Sequence, residues 1–222
     1  IIKSKTDHVA TVGGSGNPSP LTAYGVYCAI KTCVEYKLGR KSLKGVSVAL
    51  QGAGETGGRL AKRLAEDGCL IIAADINSDN LEKLGRSIPL DRVEPDHIYD
   101  VPCDVFSPCA LGGILNQETI PRLSCKIVAG SANNQLAEES DGRMLHARKI
   151  LYAPDYAINA GGVINIGCEI GQRYCRNTAY RKAGAISVTL SEILRRSEES
   201  GTPPGEVADA LAEERFGNRL MV

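Results

Sequence analysis

The chain has 222 residues, 43% hydrophobic and 23% charged, the mixture of a globular protein of one or two domains and not of a collagen-like or disordered one. Lys plus Arg and Asp plus Glu each number 26, so the formal net charge is zero and the basic signature of a nucleic-acid or anionic-membrane binder is missing. No apolar run reaches the roughly 18 residues of a membrane-spanning helix, and a chain of this size can bury roughly 70% of its unfolded surface without a disulfide or metal staple.

Ile1-Ile2-Lys3 carries no starting methionine and reads as the middle of a longer protein, so residues 1–18 are expected to form a linker from a preceding domain. Ser19-Pro20 followed by Leu21, Val26, Ile30, Cys33 and Val34 predicts a helix to about residue 36, with serine as cap and proline at the first helical position. The apolar run over 46–50 predicts a strand, and helical spacing follows over 57–66. Alternation continues with strands over 70–74, 104–107, 126–129 and 150–153, and with helices over 78–86 and, shorter, 113–121. From Ala160 onward the pattern is helical, with a long element over 177–197, a break at Thr202-Pro203-Pro204-Gly205 and a last helix over 206–215. Five apolar strands separated by helices imply βαβ units and a parallel sheet covered on both faces.

The 24 glycines exceed the usual share of about 7%, so their positions carry information. Gly52, Gly54, Gly57 and Gly58 follow the first strand, and Gly112, Gly113, Gly130, Gly161 and Gly162 follow later ones. The carboxyl edge of an open α/β sheet is where ligands bind, and glycine lets the backbone approach them closely. The sharpest motif is Gly52-Ala53-Gly54-Glu55-Thr56-Gly57, which leaves a strand and opens a helix as a dinucleotide-binding turn requires. Gly52 serves the tight turn, Gly54 the approach of a pyrophosphate, and Gly57 the contact between helix and strand. Asp75 ends the next strand, where a carboxylate accepts hydrogen bonds from the adenosine ribose; Ile76-Asn77 offers no arginine for a 2′-phosphate, so NAD is expected over NADP. Glu55 complicates the turn, because a carboxylate about 6 Å from a pyrophosphate costs roughly 1 to 3 kcal/mol. It is read here as pointing to solvent and favouring the helix N-terminus.

These features give the expected fold class: α/β, a Rossmann-like doubly wound parallel sheet with flanking helices and a helical C-terminal segment. The NAD-binding domain is placed at 19–197 and the C-terminal segment at 198–222. Eight cysteines show no C-x-x-C pair and no zinc spacing with histidine, so they are read as reduced core thiols of a cytoplasmic protein. His8, His97 and His146 stand far apart and are read as solvated or hydrogen-bonded, with no metal site.

Four blocks, in order, resemble the glutamate, leucine, phenylalanine and valine dehydrogenases, and specifically the leucine/phenylalanine/tryptophan type. They are 13–25 (GGSGNPSPLTAYG), 107–113 (SPCALGG), 129–136 (AGSANNQL) and 152–162 (YAPDYAINAGG). The resemblance implies oxidative deamination of a branched-chain or aromatic L-amino acid to its 2-oxo acid and ammonia, with hydride passing to nicotinamide. It implies that Thr22, with a free hydroxyl in the first helical turn, binds the nicotinamide carboxamide. Asn159 touches nicotinamide and orients the substrate, although the residues alone equally suit a cap for the helix starting at Ala160. Ala157 and Ile158 accompany it along the cofactor wall, Ile76 neighbours Asp75, and Cys109 and Ala110 lie beside the two riboses.

The family's catalytic lysines and aspartate belong to an N-terminal domain with no counterpart in this sequence. The isolated chain is therefore expected to bind NAD without turning over, to assemble as a homo-oligomer through the missing domain, and to present an apolar stripe on its terminal helices. Its partners are expected to be the small amino acid and oxo acid, with no nucleic acid and no membrane. Two alternatives stay open on sequence alone: a free-standing NAD-binding or regulatory module, and a Rossmann-like methyltransferase.

Overall fold

A computed structural model describes residues 15–170 and 174–217. Helix α1 (Ser19–Leu38) comes first, with Ala23, Val26, Ile30, Cys33 and Val34 at helical spacing and fully buried. Strand β1 (Ser47–Gln51), helix α2 (Glu55–Glu66), strand β2 (Leu70–Ala74), helix α3 (Ser78–Gly85) and a short edge strand β3 (Asp91–Arg92) form the first half. A 3₁₀ turn at Pro95–Asp100 leads to β4 (Val105–Pro108), a second at Ile120–Arg122 to β5 (Ile127–Val128), and helix α4 (Glu139–Ala147) to β6 (Leu151–Tyr152). Helices α5 (Asp155–Ile158), α6 (Gly161–Gly167), α7 (Arg176–Gly184), α8 (Ile186–Ser200) and α9 (Pro204–Gly217) follow.

All strand pairs are parallel, in the order β3-β2-β1-β4-β5-β6. This is the Rossmann order, which reverses direction between β1 and β4. Alternate strand residues supply the two layers of the core. Val48, Leu50, Ile71, Ala73, Val105, Ile127 and Leu151 face α1, α2, α3 and α8, while Ala49, Ala74, Phe106, Val128 and Tyr152 face α4 and the two 3₁₀ turns. Both faces are covered, which is why the strands read as continuous apolar runs and not as alternating ones.

Several elements differ from expectation. The sheet has six strands because β3 pairs through two exposed polar residues, Asp91 and Arg92, that carry no apolar signal. Helix α4 was likewise not anticipated. The expected helix over 113–121 is a loop: the Asn116 side-chain oxygen accepts the N–H groups of Glu118 and Thr119, competing with helical bonds, and Leu115 bridges to Leu136. The long helix breaks at Ala185, where the Ser187 hydroxyl takes the Gly184 carbonyl, so it becomes α7 and α8. Helix α8 runs on to Ser200, past position 197, and α9 packs Val207, Ala208 and Leu211 against Ile193, while Val188 and Phe216 of these terminal helices stay exposed. The helix cap also differs. Ser19 lies inside α1, and the Asn17 side chain accepts the Ser19 N–H at 2.9 Å. All eight cysteines are free thiols. Burial pushes Cys33 and Cys69 up to about 12, but Cys175 is exposed ahead of α7, its thiol held below the usual range by hydrogen bonding to Thr178, so it is not a core thiol. His8 lies outside the described residues.

Asp104, just before β4, pins the amino edge of the sheet. Its carboxylate accepts the Ser47 N–H at 3.2 Å and the Lys126 ammonium at 3.0 Å, which ties β1 and the approach to β5 to β4. Burial opposes ionisation, yet the bonds from Lys126 and Ser47 outweigh it and hold the carboxyl below its usual value. A depressed folded-state value means stabilisation that is complete above the unfolded carboxylate range and disappears as pH falls through the folded value. Asp104→Asn should therefore lose about 1 to 3 kcal/mol at pH 7 and converge on the wild type in acid. Urea unfolding across pH checks this; a gap that stays constant into acid would contradict it.

Candidate functional site

The strand order reverses between β1 and β4, opening a crevice beyond their carboxyl ends, and the glycine-rich turn sits there. Gly52 holds φ 94°, a left-handed value that favours glycine, and a Cβ on it would meet the Ala110 Cβ at 2.8 Å. At Gly57, the third residue of α2, a Cβ would lie 2.0 Å from the Gly52 carbonyl oxygen and 3.0 Å from the Cys109 Cβ. The turn, α2 and the β4 loop can meet only because both positions lack side chains. Gly54 differs: a Cβ there would find nothing within 4 Å. It borders the open crevice, next to a cleft of about 330 Å³ walled by Arg59, Lys62 and Lys83.

Asp75, directly after β2, is fixed from three sides. Its carboxylate accepts the Ala53 N–H at 2.7 Å, the Asn77 N–H at 2.8 Å and the Asn80 side-chain amide at 3.2 Å. The β2 loop is thereby tied to the glycine turn. Ile76 stands out to solvent, 92% exposed. Glu55 accepts from the Arg59 guanidinium at 3.0 Å, one helical turn on, and from the Asn17 side-chain amide at 3.4 Å, so its charge is partly offset locally although it lines the same cleft as Gly54.

The opposite wall comes from the loops after β4, β5 and β6. Cys109 takes up the β1 carbonyl of Gln51 through its N–H, burial raises its thiol, and Ala110 is exposed at the rim. Asn159 donates its side-chain amide to the Asn133 side-chain oxygen at 2.6 Å. It follows α5 and does not cap α6, so the capping alternative falls away. The Thr22 hydroxyl bonds back to the Pro18 carbonyl at 3.3 Å and is not free as a donor, though its oxygen keeps an accepting lone pair. Thr22 is brought beside α6 because Gly161 lets the helices touch: a Cβ there would be 2.3 Å from the Leu21 carbonyl oxygen. Ile158 is fully buried, and Ala157 is partly buried against the cluster formed by α8 and α9. Thr22, Gly52, Gly54, Gly57, Asp75, Cys109, Ala110 and Asn159 thus gather on one edge of the sheet. Gly13 and Gly14 of the first resemblance block lie outside the described residues.

A sequence model of the Glutamate/Leucine/Phenylalanine/Valine dehydrogenase family matches residues 76–197, more than half of the chain. The chain belongs to this family. Over 220 residues it is 47% identical to a leucine dehydrogenase of Thermoactinomyces intermedius, covering 97% of this chain and 60% of that protein. It is 42% identical over 220 residues to an L-tryptophan dehydrogenase of Nostoc punctiforme, covering 98% of this chain and 62% of that protein. The crystal structure of L-tryptophan dehydrogenase from Nostoc punctiforme superposes with a TM-score of 0.87 at 41% identity, over 90% of this chain and 61% of the other. The chain thus spans about 60% of the length of the relatives it matches.

In this member of the family, sequence reasoning gave no role to Asn133, Asn134 or Asp155, although the Asn-Asn pair directly after a strand loop is a visible signal. Residue-level packing also makes the family's turn testable. Gly57→Ala should lose about 2 to 3 kcal/mol, since main-chain atoms must move, whereas Gly54→Ala should stay within about 1 kcal/mol of wild type. Thermal unfolding of the two variants checks this; equal losses would contradict the assigned geometry.

Proposed function

We propose that this chain supplies the cofactor-binding part of an NAD-dependent L-amino-acid dehydrogenase, which oxidatively deaminates a branched-chain or aromatic amino acid to its 2-oxo acid and ammonia. The single observation that carries this reading is the joint between the turn and Asp75. The Ala53 N–H and the Asp75 carboxylate are held together at 2.7 Å, beside the one glycine of the turn that opens on empty space. A dinucleotide fits that cradle: Gly54 leaves room for the diphosphate, the first N–H groups of α2 point at it, and Asp75 accepts from the ribose hydroxyls. Leucine and tryptophan dehydrogenases among the relatives support the reaction class.

The cofactor, when bound, supplies the hydride acceptor. This chain's residues bind and orient it. Gly52 and Gly57 hold the turn against the β4 loop, Cys109 and Ala110 border the riboses, and Asp75 favours a 2′-hydroxyl over a 2′-phosphate. One further unit charge at about 5 Å from that carboxylate costs about 3 kcal/mol at an effective dielectric of about 20, enough to prefer NAD by a hundredfold. The Asn133–Asn159 pair and the Thr22 oxygen line the far end, where they orient the carboxamide and the substrate. Proton transfer is assigned to a lysine of the family's other domain, to which residues 1–18 would be the linker, with 19–197 as the cofactor domain and 198–222 as a C-terminal helical segment.

NADH fluorescence titration of the protein tests the reading. NADH should bind, S-adenosylmethionine should not, and Asp75→Asn should reduce the preference for NADH over NADPH by at least about tenfold. Tighter binding of the methyl donor, or no NADH signal, would overturn it. Because Arg59 offsets its charge, Glu55→Asn should change NADH affinity by less than about threefold; a large gain would show that Glu55 repels the diphosphate.

A further inference from the structure

Asp155 is 7% exposed, and its carboxylate lies where burial of a charge costs several kcal/mol unless it is hydrogen-bonded. Among the described residues it has no cation within ion-pair distance. Two neutral donors hold it instead: the Tyr152 hydroxyl at 2.7 Å on one oxygen and the Asn134 N–H at 2.8 Å on the other. An apolar residue of similar size would leave the Tyr152 hydroxyl and the Asn134 N–H without this acceptor, so the role of the carboxylate lies in the bonds it accepts.

Those bonds lead to the crevice. Asn134 sits at φ 51°, a left-handed conformation that asparagine tolerates better than most residues, and its main chain is held twice, through its N–H by Asp155 and through its carbonyl by the Gly113 N–H at 2.7 Å. The preceding residue, Asn133, accepts the Asn159 amide at 2.6 Å. The Asn159 N–H in turn donates to the Asp155 carbonyl at 2.8 Å. The Asp155 carboxylate therefore holds Asn134, the residue that follows Asn133, while its main chain meets Asn159 through a helical bond that any residue at 155 could make. The amide nitrogen of Asn133 and the amide oxygen of Asn159 take no hydrogen bond from the described residues, which leaves one donor and one acceptor, the complement of a carboxamide.

We propose that Asp155 is a positioning residue for the nicotinamide end of the cofactor: it clamps the loops after β5 and β6 so that Asn133 and Asn159 present that donor and acceptor in one fixed geometry. The inference rests on the cofactor reading above. Asp155 touches no reacting atom and acts through the two asparagines.

The test compares NADH with ADP-ribose, which keeps the adenosine and diphosphate and lacks nicotinamide. Asp155→Ala should weaken NADH binding about tenfold and leave ADP-ribose within about twofold, because only the nicotinamide end loses its clamp. Asp155→Asn, whose remaining side-chain carbonyl can still accept the Asn134 N–H, should recover most of the loss. Tyr152→Phe changes a single atom and keeps the shape of the site if Asp155→Ala folds poorly; it should show the same selective weakening, about threefold. Parallel weakening of both ligands, or no change in either while the wild type binds NADH normally, would overturn the inference and leave the cofactor reading intact. A wild type that binds ADP-ribose and NADH not at all would overturn both.

Discussion

Everything at the carboxyl edge of this sheet depends on main chains touching where a side chain would keep them apart. A Cβ on Gly57 would stand 2.0 Å from the Gly52 carbonyl oxygen, and one on Gly161 would stand 2.3 Å from the Leu21 carbonyl oxygen. The first contact seats α2 against its turn. The second seats the start of α6 against the start of α1. Between them they bring into one crevice residues that lie more than a hundred positions apart, from Thr22 and Gly52 to Asn159. Close packing leaves little freedom to re-aim these loops, because a shift in one displaces a backbone and not a flexible side chain.

The polar groups in the crevice are held as tightly as the apolar ones. Asp75 has three donors and Asp155 two, and each carboxylate bridges loops that leave different strands. The two acids work in different surroundings. Asp75 is half-buried, and with three donors on its carboxylate about one lone pair is left for a ligand. Asp155 is buried, and its carboxylate is taken up by the Tyr152 hydroxyl and the Asn134 N–H. Glu55, the one acid inside the turn itself, is paired with Arg59. The electrostatics of the site thus follow from where each carboxylate finds its donors, more than from how many acids the turn contains.

The fold class was legible because a parallel sheet covered on both faces demands apolar strands, and 48–50, 71–74 and 105–106 supply them without interruption. The dinucleotide-type turn was legible for a similar reason: the glycine spacing and the acid after the next strand are local features. Elements without an apolar pattern escaped. Two exposed polar residues made β3, and side-chain bonds around Asn116 undid a helix that spacing alone would allow. At the site, Thr22 reads as a residue with a free hydroxyl until its bond to the Pro18 carbonyl is seen. Ile158 reads as a wall residue until its side chain is found in the core.

By itself the sequence determined the five apolar strands, their parallel sheet and the position of the glycine turn and its acid, because those are set by hydrophobic period and by residues within one βαβ unit. The tertiary structure alone decided which distant polar groups meet: Asn133 with Asn159, and Asp155 with Asn134. Such pairings depend on the twist and register that bring separate strand ends to one edge. No periodicity records them, since hydrogen bonding is short-ranged in space and indifferent to distance along the chain.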